Sequence, residues 1–552
     1  MNKTKLLLCF SILASPVLYP NSTGSIAPSK TGCGSCNNEC ECRYLSYTSF
    51  AFRPQFQAGS PEYITAFRDR MNARENGHGG ALQIALFGSR STDERALGVY
   101  FTPFCKSQLL AKTTNLDGGT DVLTQHFNIL TDTPNPLQDF ESIVSFCPKT
   151  STFGIGISYR QRLGKFEPDN PDKRYAWFEI SAPITRMKTT MGLCEQILSP
   201  NNKALQVPNL NQRFYACMTQ ALNQCAWKYG KISPCPLCKW GLADITVRFG
   251  KEFVKCDKCL FDAYLGFIFP TGNRRTACYV FEPIIGHAKH FGILFGPSIQ
   301  LELWKYEEKE RKFEMSFDIN AQYLFSKMEM RSFDLKCRPW SRYMEVYCNK
   351  EQATEAAMMA AQGQLTQAML LSTPGINVFT KCMKVYPKLS FSTLLSVIYS
   401  SEKFKLEVGY NFYAKQSECI DMKCKWCEGP AIKDAIGMGY TNALRMIHRN
   451  FTAGFTSPPP PAPPQFIIPP DPIVATTPLD LYDLNVIKES DIDLNSCAHL
   501  GFVSHALYLS VGGKWDKRNF PPFVNFGVSY EFGKENMILD RWTLWAKTGF
   551  SF

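Results

Sequence analysis

Two cysteine pairs carry the sharpest chemistry in this chain: Cys235-x-x-Cys238 and, farther on, Cys256-x-x-Cys259. By spacing, four thiolates in two such pairs can enclose one tetrahedral zinc ion. The residues between the pairs oppose that reading. Positions 242–253 (LADITVRFGKEF) read as a strand, whose ends lie roughly 30–40 Å apart at about 3.3 Å per residue. A shared ion requires the segment to fold as a small ribbon instead. Disulfides or free thiols are therefore favoured at these positions, with no metal assigned. The tight cluster Cys33, Cys36, Cys40 and Cys42 has no histidine within it and reads as a local disulfide knot. Cys337, Cys348, Cys419, Cys424, Cys427 and Cys497 are further disulfide candidates. Of 22 cysteines, all but Cys9 follow the signal core described below. That leaves an odd number, so one thiol is available for disulfide-linked self-association.

Enzymatic chemistry finds little footing. His287-x-x-His290 is the one close histidine pair, and it falls in a loop. No Ser/His/Asp arrangement and no glycine-rich phosphate loop is present. The chain is read as a non-enzyme without a cofactor. The net charge of +11 is modest for 552 residues and forms no dense basic cluster, so nucleic acid is not an expected partner.

A second set of charged residues falls at regular positions in alternating segments. At 313–325, Phe313, Met315, Phe317, Ile319, Ala321, Tyr323 and Phe325 share one face, with Glu314, Ser316, Asp318, Asn320 and Gln322 on the other. At 404–414, Phe404, Leu406, Val408, Tyr410 and Phe412 alternate with Lys405, Glu407, Gly409, Asn411 and Tyr413. At 524–532, Val524, Phe526, Val528, Tyr530 and Phe532 alternate with Asn525, Gly527, Ser529 and Glu531. Period two means strands. Similar faces lie at 153–160, 175–184, 242–249, 261–269, 291–303, 389–399 and 507–515, with weaker ones near 44–56, 82–88 and 96–104. Short connections (165–173, 254–259, 306–310, 400–403, 516–522) alternate with long ones (112–150, 190–238, 271–289, 335–381, 416–500). This is the pattern of a transmembrane antiparallel β-barrel of about fourteen strands, with short periplasmic turns and long external loops. Strand parity then turns Arg160, Glu179, Asp244, Arg248, Asp262, Glu302, Glu314, Asp318, Lys388, Lys405, Glu407, Lys514, Glu531 and Lys547 toward a polar lumen. Both signs are represented, so the lumen is expected to tune permeation without strong single-sign selectivity.

The N-terminus sets the context. Lys3 and Lys5 precede an apolar run from Leu6 to about Leu18, as in an export signal. The signal is placed at 1–25, with cleavage between 14 and 32, followed by a Cys-rich periplasmic or lumenal segment at 26–42 and the barrel over 43–552. After the signal no apolar window is long enough for a membrane helix, which leaves a closed barrel as the way to span lipid. Two loops stand out. Residues 350–372 (KEQATEAAMMAAQGQLTQAMLLS), within the loop 335–381, read as an amphipathic helix. The run from Ser457 to Pro478, within the loop 416–500, is a polyproline II spacer.

The chain's last strand alternates Trp542, Leu544, Ala546, Thr548, Phe550 and Phe552 against Thr543, Trp545, Lys547, Gly549 and Ser551. It resembles the C-terminal targeting strand of Gram-negative outer-membrane β-barrels, which typically ends on Phe. Gly241-Leu-Ala-Asp-Ile-Thr-Val-Arg248, Tyr264-Leu-Gly-Phe-Ile-Phe-Pro-Thr-Gly272 and Phe291-Gly-Ile-Leu-Phe-Gly-Pro-Ser298 look like the channels of the long-chain fatty-acid and aromatic-compound transporter type. That resemblance implies a barrel of about fourteen strands that passes hydrophobic substrates. The chain departs from those channels in showing no N-terminal hatch, its residues 33–42 being cysteine-rich instead. The cysteine load is similar to that of chlamydial-type major outer-membrane proteins, which implies an envelope stabilised by crosslinks.

The expected function is passive or facilitated passage of small molecules across the bacterial outer membrane, with disulfides stabilising the envelope. The expected partners are outer-membrane lipid, the barrel-assembly machinery and a small-molecule permeant. Two alternatives stand beside it: a structural or adhesive surface barrel with a plugged lumen, and a secreted zinc-binding β-protein.

Overall fold

The computed structural model describes residues 46–72, 79–92, 95–113, 121–129, 140–164, 174–200, 215–256, 258–306, 310–336, 338–362, 371–427, 429–433, 486–516, 518–533 and 539–552. The signal, the Cys33–Cys42 cluster, Cys337 and the polyproline run lie outside these residues.

Twelve strands form one closed circuit. In chain order they are β1 (Gly80–Ser91), β2 (Lys149–Leu163), β3 (Ala176–Thr190), β4 (Ile245–Cys256), β5 (Cys259–Phe269) and β6 (Gly292–Tyr306). They continue with β7 (Arg311–Leu324), β8 (Lys388–Ser400), β9 (Phe404–Lys415), β10 (Phe502–Lys514), β11 (Pro522–Phe532) and β12 (Arg541–Ser551). Each strand pairs antiparallel with its neighbours in sequence. β12 returns to β1 through Ala81↔Ser551 to Ser91↔Arg541. The seam is extended by Phe552, which exchanges backbone hydrogen bonds with Gly80 at 2.9 Å each. A further strand, Leu237–Leu242, continues the line of β4 along β3 after a break at Ala243–Asp244. Pro183 of β3 sits opposite that break, and its carbonyl accepts from the Ala243 N–H.

The count is twelve where the sequence suggested fourteen, and both lost strands have a physical reason. Residues 95–101 are helical (Arg95–Phe101), because Leu97, Tyr100 and Phe101 recur at helical spacing and pack into an apolar core. Residues 46–56 form no strand of the sheet; they enter the barrel.

Polarity is inverted relative to a water-soluble barrel. Ile84, Leu86, Ile155, Ile157, Ile184, Phe249, Leu265, Phe295, Leu395, Val408, Leu507, Phe526 and Leu544 are exposed on the outside. Gln83, Ser158, Glu179, Arg248, Asp318, Asn320, Ser396, Glu407, Asn411, Ser510, Asn525 and Lys547 are buried within. On β12, Leu544 is 62% exposed while its neighbour Trp545 is 3% exposed, with its Nε1 donating to Asn525 at 3.1 Å.

One end of the barrel carries the connections between β2 and β3, β4 and β5, β6 and β7, β8 and β9, and β10 and β11. At the other end the long connections fold together as a cap with its own core. Phe127, Trp227, Trp340, Tyr343 and Ile376, drawn from three connections, pack there, and Trp227 stacks on Tyr343 at 4.6 Å. A second cap core gathers Phe333, Phe379, Met383, Ile420 and Trp426. The helix expected over 350–372 is Lys350–Ala361. It lies in the cap, with Ala353 packed against Ala431.

Trp545→Ala is expected to cost about 3 kcal/mol or more, because it empties a packed interior position. Leu544→Ala, one residue away on the outer face, is expected to cost under about 1 kcal/mol in detergent, where no cavity forms. Urea unfolding followed by heat-modifiable gel mobility checks both; equal costs would refute the inverted polarity.

Candidate functional site

Residues 46–72 thread the barrel from the cap to the tight-turn end. At the cap, the Tyr47 N–H donates to Tyr100 O at 3.1 Å and the Thr48 N–H to Ser496 O at 3.0 Å, and Phe50 enters the cap core. At the far end, Arg70 pairs with Asp516 at 2.9 Å and its carbonyl accepts from Ser551 Oγ at 2.7 Å. Between these points the segment touches β2, β4, β7, β8, β9, β11 and β12. A segment in contact with walls all round a closed circuit can only lie inside it.

Local sequence explains its path. Gly59 adopts φ +83, and a Cβ there would meet Asn320 at 3.0 Å and Ser392 at 3.2 Å, so only glycine suits the bend. Pro61 opens the one-turn helix Pro61–Ile64, a position where its missing N–H costs nothing. Gly156 on β2 leaves room for the Phe56 ring, which a Cβ would meet at 2.2 Å.

The grip between segment and wall is apolar and ionic: Phe56, Tyr63 and Ile64 pack with Ala85, Phe87, Leu394, Tyr508 and Trp545, and Phe67 with Phe523. Arg68 Nη2 lies 2.8 Å from Asp318 and Nη1 lies 3.3 Å from Glu407. Asp318 is held in turn by Ser298 at 2.6 Å and Ser316 at 3.0 Å. Tyr508 Oη donates to Glu407 at 3.1 Å. Glu179 is clasped by Arg160 and Arg248. Arg160 also donates to Arg68 O at 3.3 Å and sits 4.5 Å from the Trp177 ring. Arg248 reaches Tyr63 Oη at 3.2 Å and lies 4.6 Å from the Tyr264 ring. Lys547 donates to the carbonyls of Glu62 and Tyr63 at 3.1 and 3.3 Å, and Lys405 pairs with Asp69 at 3.1 Å. Toward the cap, Arg53 bridges Glu531 at 2.8 Å and Asn411 at 2.7 Å, while Arg541 holds the other oxygen of Glu531 at 2.6 Å. These pairs are buried, so removing one partner strands a charge at about 3–5 kcal/mol.

The fourteen charged wall residues expected at the lumen therefore divide. Arg160, Glu179, Arg248, Asp318, Lys405, Glu407, Glu531 and Lys547 are buried in this network. Asp262 is half-buried beside Ser298. Asp244 lies at the break between Leu237–Leu242 and β4, where it accepts from the backbone N–H groups of Gly272 and His287 at 3.1 and 2.6 Å and meets His287 Nδ1 at 2.7 Å. Glu302, Glu314 and Lys514 belong to the tight-turn end and are half-buried. Glu314 pairs with Lys312 at 2.8 Å and Lys514 with Asp516 at 2.9 Å. Lys388 opens β8 with φ +64 and is half-buried, outside the network. The sequence reading missed Arg68, Asp69 and Arg70, because 57–72 show no alternation, and it missed Arg53 because 44–56 read as a weak strand of the wall. The sequence reading placed 43–552 in the barrel and did not expect residues 46–72 in the lumen.

The cysteine pairs do not meet. Cys235 and Cys238 stand at the cap end, whereas Cys256 and Cys259 face each other across the β4–β5 turn, so all four cannot hold one ion. These four, with Cys348, Cys424, Cys427 and Cys497, are free thiols, whereas Cys419 is disulfide-bonded. Cys497 is buried, with its Sγ 3.8 Å from the Met383 sulfur.

Above the barrel the cap holds a second ionic cluster. Glu329 meets His290 at 2.8 Å, Arg331 at 2.9 Å and Arg275 at 3.5 Å, and Arg331 meets Glu418 at 3.1 Å. Burial alone would push the Glu329 carboxyl up, but Arg331, the His290 hydrogen bond and Arg275 draw it down to about 2. Burial is likewise outweighed at Glu418, by Arg331 and Lys415, which hold it far below the carboxylate range. Burial, then the Lys415 cation, depresses the His499 imidazole well below its usual range. Burial, then Lys433, lowers His126 to about 4.

No family model matches the chain, and no curated protein matches it. Among solved structures it is similar to the COG4313 outer-membrane channel from Pseudomonas putida F1, with 7% identity and TM-score 0.34 over 85% of this chain and 95% of that one. It is similar to the transport unit of the autotransporter AIDA-I from Escherichia coli, with 9% identity and TM-score 0.30 over 91% and 100%. A Pseudomonas aeruginosa FadL homologue gives 8% identity and TM-score 0.26 over 89% and 94%. At scores this low none of them assigns a role to this chain.

All four cap groups act in the same direction with pH. The carboxyls contribute stability above the ordinary value of 4.5, and it is lost as pH falls toward about 2. The imidazoles are neutral in both states above 6.5; below it the unfolded chain takes up protons that the folded cap refuses, and stability falls further. The cap is therefore expected to loosen progressively from pH 6.5 downward while the barrel stays closed. Near-ultraviolet circular dichroism from Trp227, Trp340 and Trp426 reports the cap. An unchanged signal from pH 7 to about 3 would sink this expectation.

Proposed function

We propose that this protein is a bacterial outer-membrane channel, exported by its N-terminal signal, whose lumen is held shut by residues 46–72 and opens to small molecules when that segment shifts. The single observation that carries the reading is the kind of contact between segment and wall. Ion pairs and hydrogen bonds with Asp318, Glu407, Glu531, Asn411 and Lys547 hold it. Such groups can exchange partners with water, while displacement of the segment also parts the apolar contacts of Phe56, Tyr63, Ile64 and Phe67 with the wall. The outward belt of Ile, Leu, Val and Phe supports residence in lipid, because an apolar surface that continuous is not sustained in water. With the segment displaced, the wall presents acids and bases to the permeant together, which favours polar solutes of either sign.

A structural or adhesive barrel is the second reading, and the cap favours it. Its packed aromatic core covers one mouth of the barrel.

Planar-bilayer recording separates the two. The intact chain is expected to be mostly silent with rare openings, and Arg68→Ala to open more often, since Asp318 and Glu407 lose their cation. Deletion of residues 46–72 is expected to give steady stepwise conductance. Silence from the deletion variant, once its heat-modifiable mobility proves it folded, would leave the structural reading standing.

A further inference from the structure

The outer face of β1–β3 at the cap end carries cations that the lumenal network does not use. Arg90, Arg186 and Lys188 all point outward and are exposed. Register places them side by side. Arg90 lies opposite Ser151, and Ser151 lies opposite Lys188, which makes one row across the three strands. In the next row down, Phe153 pairs with Arg186 and Arg186 with Trp240 of the strand Leu237–Leu242. At about 4.8 Å per strand and about 3.3 Å per residue the three cations fall within about 12 Å of one another. Directly beneath runs the apolar row Leu86, Ile155, Ile184 and Leu242. The cluster therefore sits where the apolar belt ends.

These cations have no acidic partner among the described residues. Among the described residues, Glu195 accepts from the backbone of Met218 and Thr219, and Asp540 accepts from Tyr530 Oη and the Gly533 N–H. Arg186 is instead positioned by apolar and soft neighbours, with its guanidinium 5.7 Å from the Trp240 ring and its Nε 3.2 Å from Cys238 Sγ. Elsewhere the outward rim at this end is aromatic, with Phe291, Tyr323 and Phe325 on one side and Tyr530, Phe532 and Trp542 on another. A rim that only had to anchor the barrel would carry the same aromatic residues all round.

We propose that Arg90, Arg186 and Lys188 bind the phosphate groups of a phosphomonoester-bearing lipid of the surrounding leaflet, with its acyl chains lying on the apolar row below. Arginine offers planar paired donors suited to phosphate oxygens, and lysine adds a point charge. Trp240 supplies the amphipathic flank that such interfaces use. This inference rests on the membrane reading above.

The test uses the full chain in phosphatidylcholine nanodiscs containing either a bis-phosphorylated glucosamine glycolipid or its dephosphorylated form, with bound lipid counted by native mass spectrometry. The intact chain is expected to retain the phosphorylated lipid at least about tenfold over the dephosphorylated one. The triple variant Arg90→Gln, Arg186→Gln, Lys188→Gln should retain both alike, and each single variant should fall between. Arg311→Gln, at the tight-turn end, should leave retention unchanged. Heat-modifiable mobility shows that each variant is folded. Equal retention by intact chain and triple variant, or no discrimination by the intact chain, overturns the proposal. Failure to enter nanodiscs of phosphatidylcholine alone overturns the membrane reading as well and is seen before any glycolipid is added.

Discussion

A closed sheet with an apolar outside has one problem to solve: every charge on its inside must be matched within the circle. Water cannot do so once a segment of chain fills the space, and an unmatched buried charge costs several kcal/mol. Arg68 answers Asp318 and Glu407, Arg160 and Arg248 answer Glu179, and Arg53 with Arg541 answers Glu531. The wall alone is not balanced by its own side chains, since Asp318 and Glu407 find their cation only on the segment inside. Barrel and segment are therefore one electrostatic unit, and the tight packing around Gly59 and Gly156 follows from having to bring those charges to bonding distance.

The cap obeys a different physics. Its core is aromatic and dry, as in a soluble domain, and its ionic cluster around Glu329, Arg331 and Glu418 sits at the floor of that domain. Phe50 belongs to this core, while Arg53, three residues on, belongs to the lumen. The junction between the two regimes thus falls within a few residues of one strand-like stretch, where any motion of the cap is passed directly to the segment below.

Much of the barrel was legible because period-two alternation is a local property. β7, β9, β11 and β12 announce themselves within a dozen residues each, and inward and outward faces follow from parity. Residues 95–101 misled because a short apolar stretch can be read at either period, and only the partners of Leu97 and Phe101 decide which. The lumenal segment was not legible as such: 44–56 read as a weak strand of the wall, and 57–72 show no alternation. Arg68 finds Asp318 at a separation of 250 residues and Glu407 at 339, and nothing near Arg68 hints at either. The cap core was hidden for the same reason, since Phe127, Trp227, Trp340 and Tyr343 come from connections that look like featureless loops when read one at a time.

The seam also constrains the order of folding. β1 and β12 join residues 80–91 to 541–551, the widest separation in the sheet, so their pairing waits for nearly the whole chain. Residues 46–72 lie inside that seam, and Ser551 already bonds to Arg70. A ring that shuts before its contents are in place would have to be threaded afterwards through a mouth the cap also occupies. Assembly is simplest in the opposite order: the inner segment gathers the strands by their charges, and the last strand closes over it like a lid on a packed case.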